Sequence, residues 1–177
     1  DTDWSVRCII LTGAGRAFCA GLDLAAQMSG PKDSLGNMGN LGASAGEFDI
    51  RNAPPVVLHN IDTPVICALN GGAAGYGLDL AFGCDIRIAA DSAKLNPGFA
   101  KRGILPESGG TWLLPRLVGR AKALELALLG DKVKAAEAAA LGLISRALPD
   151  AELMEAAMAL AQRLAAMPTT MATRMAV

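Results

Sequence analysis

The chain has 177 residues, of which 52% are apolar and 19% charged, with a net charge of −1. That balance suits one packed domain and argues against a disordered chain. Charges of both signs are scattered without a basic stripe, and apolar runs fall far short of the ~20 residues that span a bilayer, so neither nucleic acid nor membrane is an expected partner.

In chain order, Val6–Leu11 (VRCIIL) reads as a buried strand bounded by turn residues. Thr12–Arg16 is a loop whose Gly13 and Gly15 suit a tight turn, since GxG alone is weak evidence for a dinucleotide site. Ala17–Gly21 leads into a short helix, Leu22–Gln27, with Asp23 in its first turn. Met28–Gly46 carries Gly30, Gly36, Gly39, Gly42 and Gly46 and no periodicity; it reads either as a lid or as a disordered insertion. Glu47–Ile61 reads as helical, at least from Pro54, with Asn52 as N-cap. Its His59 suits a surface or packing role.

The central stretch is Val65–Asp85, VICALNGGAAGYGLDLAFGCD. Val65–Leu69 has strand length, Asn70-Gly71-Gly72 stops it, Ala73–Gly77 reads as a small-residue turn, and Leu78–Gly83 fits a buried helix. Such a junction aims unpaired backbone N–H groups at one point, a place for developing negative charge. Asp85–Ala90 and Lys94–Leu95 read as strands, and Phe99–Leu105 as a mixed segment ending at Pro106. Glu107–Thr111 opens a helix over Trp112–Leu117. Further helices are expected at Gly119–Leu129, stopped by Gly130, and at Ala135–Leu141, stopped by Gly142. Lys132–Val133 and Leu143–Ala147 read as extended. Asp150 is placed as cap of a final helix, Ala151–Ala166.

Cys8, Cys19, Cys67 and Cys84 sit singly in apolar runs, there is no CxxC, and the chain has one histidine. Neither a zinc site nor a disulfide framework is suggested. Free thiols in a reducing cytoplasm of bacterial type, or in an organelle matrix, fit better. The chain opens at Asp1 close to a strand and closes at Val177 just after a helix, which reads as part of a longer protein.

GxSxG and GxxxxGK[ST] are both absent. The remaining chemistry rests on two carboxylates. Asp79 lies in an otherwise apolar helix, so it is paired, neutral or facing a site; Arg87 and Lys101 are candidate structural partners. Glu107 stands at a glycine-rich helix start, where a first-turn acid is also favoured by the helix dipole. Two glycine junctions with two carboxylates fit enolate chemistry: backbone donors polarise a carbonyl while a carboxylate moves the adjacent proton.

Three blocks, RCIILTGAGRAFCAGLDL from Arg7, NGGAAGYGLDLAFGCDIRIAADSAKL from Asn70 and GILPESGGTWLLPRLVG from Gly103, resemble in order and spacing the crotonase superfamily of enoyl-CoA hydratases and isomerases. The resemblance runs over roughly Val6–Ala166. It implies an α/β fold, a ββα spiral with a helical C-terminal part, truncated at both ends. Residues 1–150 would form the core, and 151–177 would begin the C-terminal helical region. It also implies acyl-CoA thioester substrates of fatty-acid or aromatic catabolism, and a homotrimer or dimer of trimers in the full-length protein. No separate cofactor or metal is implied, coenzyme A being part of the substrate.

Carried over residue by residue, the oxyanion hole falls on the backbone N–H groups of Leu22 and Tyr76. Tyr76 stands where glycine or alanine is common, so its ring would narrow or line the acyl pocket. Ala20, Leu22, Asp23, Leu24, Ala25, Tyr76 and Phe99 would contact substrate or CoA. Of the two hydratase glutamates, the first matches Asp79 and the second matches Phe99, which cannot transfer protons. Glu107 matches the single acid of double-bond and ring-opening isomerases, and is taken as the proton shuttle with Asp79 in an orienting role. Trp112 and Phe99 are candidates for an apolar wall around it, core packing being the other role open to Trp112. The resemblance leaves open a hydratase using Asp79 with Glu107, or a non-catalytic acyl-CoA-binding subunit.

Overall fold

The computed structural model describes residues 3–21, 50–106, 108–168 and 173–174. Leu22, Asp23, Leu24, Ala25, the Met28–Gly46 segment and Glu107 lie outside the described residues. The strands are β1 (Ile9–Thr12), β2 (Ala17–Cys19), β3 (Val65–Leu69), β4 (Gly72–Ala74), β5 (Ile86–Ala90), β6 (Lys94–Asn96), β7 (Val133–Lys134) and β8 (Arg146–Leu148). The α-helices are α1 (Pro54–Asn60), α2 (Tyr76–Phe82), α3 (Gly110–Val118), α4 (Arg120–Leu129), α5 (Ala135–Ala140) and α6 (Leu153–Ala166).

Among the described residues the strands form two sheets, ordered β1-β3-β5-β8 and β2-β4-β6-β7. The first is parallel throughout, and the second parallel except for the antiparallel β6–β7 pair. From β1 to β6 successive strands fall in different sheets: β1, β3 and β5 enter one, and β2, β4 and β6, each a few residues on, enter the other.

All five residues of β3 are buried, as a central parallel strand covered on both faces requires. Its pleat divides them. Val65, Cys67 and Leu69 join Leu78, Ala81 and Phe82 of α2 in the main core, while Ile66 and Ala68 meet Leu153 and Ala157 of α6. At full burial each large aliphatic side chain contributes about 1.5–3 kcal/mol.

Asn70 fastens the two crossing points between sheets. Its Nδ2 donates to Gly15 O (2.9 Å), and its Oδ1 accepts from Gly13 N (2.9 Å). Arg87, 8% exposed, spends its guanidinium on backbone: Nε donates to Leu143 O (2.8 Å) and Nη1 to Cys84 O (2.5 Å). These bonds tie the turn after α2 to the approach of β8.

Several sequence expectations need correction. Ala73–Gly77 is not simply a turn, because β4 pairs with β2 and β6 through Gly72–Ala74. The strand expected at Val6–Leu11 starts three residues later and runs from Ile9 to Thr12, and that expected at Leu143–Ala147 likewise runs from Arg146 to Leu148. The N-cap of α1 is Ala53, with Asn52 in a 3₁₀ turn before it. Asp150 does not cap the last helix: its carboxylate accepts from Ser92 N (3.1 Å) and Ser92 Oγ (2.5 Å), and Asp150–Glu152 form a 3₁₀ turn leading into α6. Cys67 and Cys84 are buried, whereas Cys8 and Cys19 are half-buried.

Candidate active site

The strand–glycine–helix junction in the middle of the chain places Tyr76 as the first residue of α2, behind Gly75. Gly75 is held by β6 and by the first turn of α2: its N–H donates to Asn96 O (2.9 Å), and its carbonyl accepts the N–H groups of Leu78 (2.9 Å) and Asp79 (3.2 Å). The Tyr76 N–H, as a first-turn donor, has no acceptor among the described residues.

The other junction comes to the same place. Gly21, at the end of β2, has φ 89°, and a Cβ on it would fall 2.6 Å from Ala74 O and 3.5 Å from Tyr76 N. Only glycine lets the backbone take this conformation and pass this close. The residue immediately before Leu22 therefore lies against the Tyr76 amide. Ala20, the residue before it, is exposed.

Asp79, one turn into α2, is 1% exposed. Its carboxylate lies against Gly110, the first residue of α3: a Cβ on Gly110 would fall 2.9 Å from Asp79 Cγ. Neither structural partner suggested by the sequence takes it. Arg87 bonds to carbonyls, and Lys101 Nζ pairs with Asp131 Oδ1 at 2.5 Å.

Asp79 forms part of the wall of an apolar cavity of about 370 Å³ between α2, α3 and α4. Leu78, Asp79 and Phe82 are its buried side, and Thr111, Arg120 and the half-exposed Leu124 its outer side. Phe99 lines it, with its ring beside Gly75, where a Cβ would be 3.8 Å from Phe99 Cε1. Pro106 and Gly110 both line it, and Glu107 falls between them in sequence. Asp79 is the one carboxylate among the described lining residues.

Trp112 does not belong to this wall. It is 48% exposed, its ring meets His59 edge-on (centroids 5.3 Å apart, 66°), and Arg116 Cζ stacks 3.8 Å from the ring centroid. This surface group accounts for His59 as a packing residue.

Tyr76 is half-buried, and burial, followed by the charges of Asp79 and Cys19, pushes its phenol above the usual range. Among the described residues no group of three metal-ligating side chains occurs, and no helix is long and apolar enough to cross a membrane.

Sequence reasoning missed Gly110 as the surface on which Asp79 rests, although the Gly109-Gly110 pair was a signal for close approach. It also missed Ala123 and Ala127 of α4, whose i, i+4 spacing sets two small side chains toward the cavity.

The enoyl-CoA hydratase/isomerase family model matches residues 1–176. The chain is 47% identical over 96% of its length to 1,2-epoxyphenylacetyl-CoA isomerase of Escherichia coli, of which it spans 63%. It superposes on enoyl-CoA hydratase from Bacillus anthracis with a TM-score of 0.88 at 34% identity, over 99% of this chain and 66% of that one. On a monofunctional enoyl-CoA isomerase from Mycobacterium smegmatis the TM-score is 0.73 at 36% identity, over 97% of this chain and 70% of the other. With its two interleaved sheets and converging glycine junctions, the chain belongs to the enoyl-CoA hydratase/isomerase family, the crotonase superfamily.

Proposed function

We propose that this protein isomerises an unsaturated acyl-CoA, shifting a double bond or opening a ring through a thioester enolate. The observation that supports the reading is the cavity wall: Phe99 and Asp79 both line it, and Phe99, which transfers no proton, holds the position that the family resemblance gives to the second hydratase carboxylate. The thioester oxygen accepts from the N–H groups of Leu22 and Tyr76. Glu107 takes a proton from the acyl chain, the electron pair moves into the dienolate, and the same carboxylate returns the proton at a different carbon. Asp79 orients. An apolar cavity favours a base with a raised pKa and excludes water that would compete for the enolate. The 47% identity to an isomerase supports this assignment.

The second reading is a hydratase in which Asp79 and Glu107 share the acid and base work, favoured by the superposition on the Bacillus anthracis hydratase. Incubation of the enzyme with 3-enoyl-CoA and with 2-enoyl-CoA in ¹⁸O-water separates the two. An isomerase converts the first and leaves product free of label. Label entering a 3-hydroxyacyl-CoA with no double-bond shift sinks the isomerase reading. Tight CoA-thioester binding in calorimetry with no turnover of either compound indicates a binding subunit.

A further inference from the structure

The face that α4 turns to the cavity has a composition that packing alone does not favour. Arg120, Ala123, Leu124 and Ala127 line the cavity at i, i+3, i+4 and i+7, a single stripe of the helix. Leucines were available on the same helix, yet Leu128 and Leu129 are 70% and 55% exposed, while Ala123 is 3% exposed and Ala127 half-buried. Burial of apolar area favours the larger side chain inside, and native interiors leave few voids larger than a water molecule. In α4 the small side chains face inward and the space beside them stays open.

The size and lining of that space restrict what fills it. A dry cavity of about 150 Å³ lined by Leu, Ile and Phe takes a benzene molecule. This one, at about 370 Å³, has room for a ring and further carbons. Leu78, Phe82, Pro97, Phe99, Leu114 and Pro115 give it apolar walls, so the occupant is apolar along most of its length. Asp79, with Pro106 and Gly110 on either side of Glu107 in sequence, supplies the proton chemistry. The buried part of the α4 stripe supplies none, and suits the part of an acyl group that does not react.

We propose that Ala123 and Ala127 are specificity-determining residues: by keeping the α4 wall small they admit an apolar acyl tail, which makes the substrate class acyl-CoA thioesters carrying an aromatic ring or a medium-length alkyl chain in preference to short ones. The inference rests on the acyl-CoA reading above and refines it. A leucine at either position extends into the space the tail occupies, and the methylenes it displaces lose their burial.

The test is calorimetric titration of the full chain, Ala123→Leu and Ala127→Leu with butyryl-CoA, octanoyl-CoA and phenylbutyryl-CoA. Octanoyl-CoA and phenylbutyryl-CoA are expected to bind the wild type about a hundredfold tighter than butyryl-CoA, from the burial of the added carbons. In each leucine variant that ratio is expected to fall by about tenfold or more. The valine variants, Ala123→Val and Ala127→Val, replace any leucine variant that does not fold, with a smaller fall in the same direction. A ratio near one in the wild type overturns the proposal. So does a wild-type ratio kept by either leucine variant, since the tail then lies elsewhere. Failure of all three thioesters to bind the wild type overturns the acyl-CoA reading itself.

Discussion

The carboxylate of Asp79 lies where a side chain on Gly110 would begin, so a buried acid of α2 and the first residue of α3 are fitted to each other. This contact joins the helix behind the central junction to the segment that carries Glu107. Gly110→Ala forces the two apart. The expected cost is about 1–3 kcal/mol, the range for overpacking, with a fall in turnover at least as large as for Asp79→Asn. Urea unfolding combined with steady-state kinetics checks both. Unchanged stability together with unchanged turnover would show that the contact positions nothing.

Glu107→Gln keeps size and removes the proton acceptor. Double-bond shift is expected to fall by about 10²–10⁴-fold in kcat, the range for general acid–base catalysis, with a smaller effect on KM. Asp79→Asn, as the orienting group, is expected to lower kcat less. If Glu107→Gln shifts the double bond at the wild-type rate, Glu107 is not the base.

Arg87 is a buried cation whose charge is spread over main-chain carbonyls, including Leu143 O and Cys84 O. Burial lowers its pKa, yet those acceptors keep it in place. Arg87→Ala leaves these carbonyls without donors, and an expected loss of about 2–4 kcal/mol follows from hydrogen bonds to a charged group. Arg87→Lys cannot reproduce the fork and is expected to recover less than half of the loss. Thermal melts of the three proteins measure this, and equal melting temperatures would contradict it.

The thiols give a pH signature. Burial, then the neighbouring Cys84, raises Cys67 well above the ordinary thiol value of 9.0, while the unfolded chain ionises near that value. The folded state thus holds its proton where the unfolded state gives it up. This contribution is complete below about pH 9 and is lost as pH rises through the folded value. Unfolding free energy attributable to Cys67 should be flat from pH 7 to 9 and decline above, and Cys67→Ala should remove the decline. Iodoacetamide at pH 8 should spare Cys67 until the chain is unfolded.

The parts of the fold that depend on local pattern were legible in the sequence. β3 was placed at its observed bounds because Val65–Leu69 is a short apolar run closed by Asn70-Gly71. β2 and β4 were not legible: Ala17–Cys19 and Gly72–Ala74 are three residues each, too short to show an alternating pattern, and they become strands only because partners distant in sequence supply the pairing. The oddity of Asp79 was visible as an acid among apolar neighbours, but its seat on Gly110 was not, since the contact joins residues 31 positions apart. Trp112 carried no sign of its direction. A three-dimensional neighbour, His59, and the i+4 residue Arg116 hold it at the surface.

The alternation of β1 to β6 between two sheets also has a kinetic consequence. Among the described residues β6 and β7 are the one consecutive pair of strands that meet, and α3 and α4 lie between them in the chain; β3 and β5, joined at Ile66 and Ile86, must close a loop containing all of α2. No hairpin is available as a fast local nucleus. Each ladder waits on loop closure that must be paid in entropy before any pairing rewards it, so folding in milliseconds to seconds is expected rather than in microseconds. Until those ladders close, the edges of β3 and β5 remain open templates, and the newly made chain is most exposed to self-association during that interval.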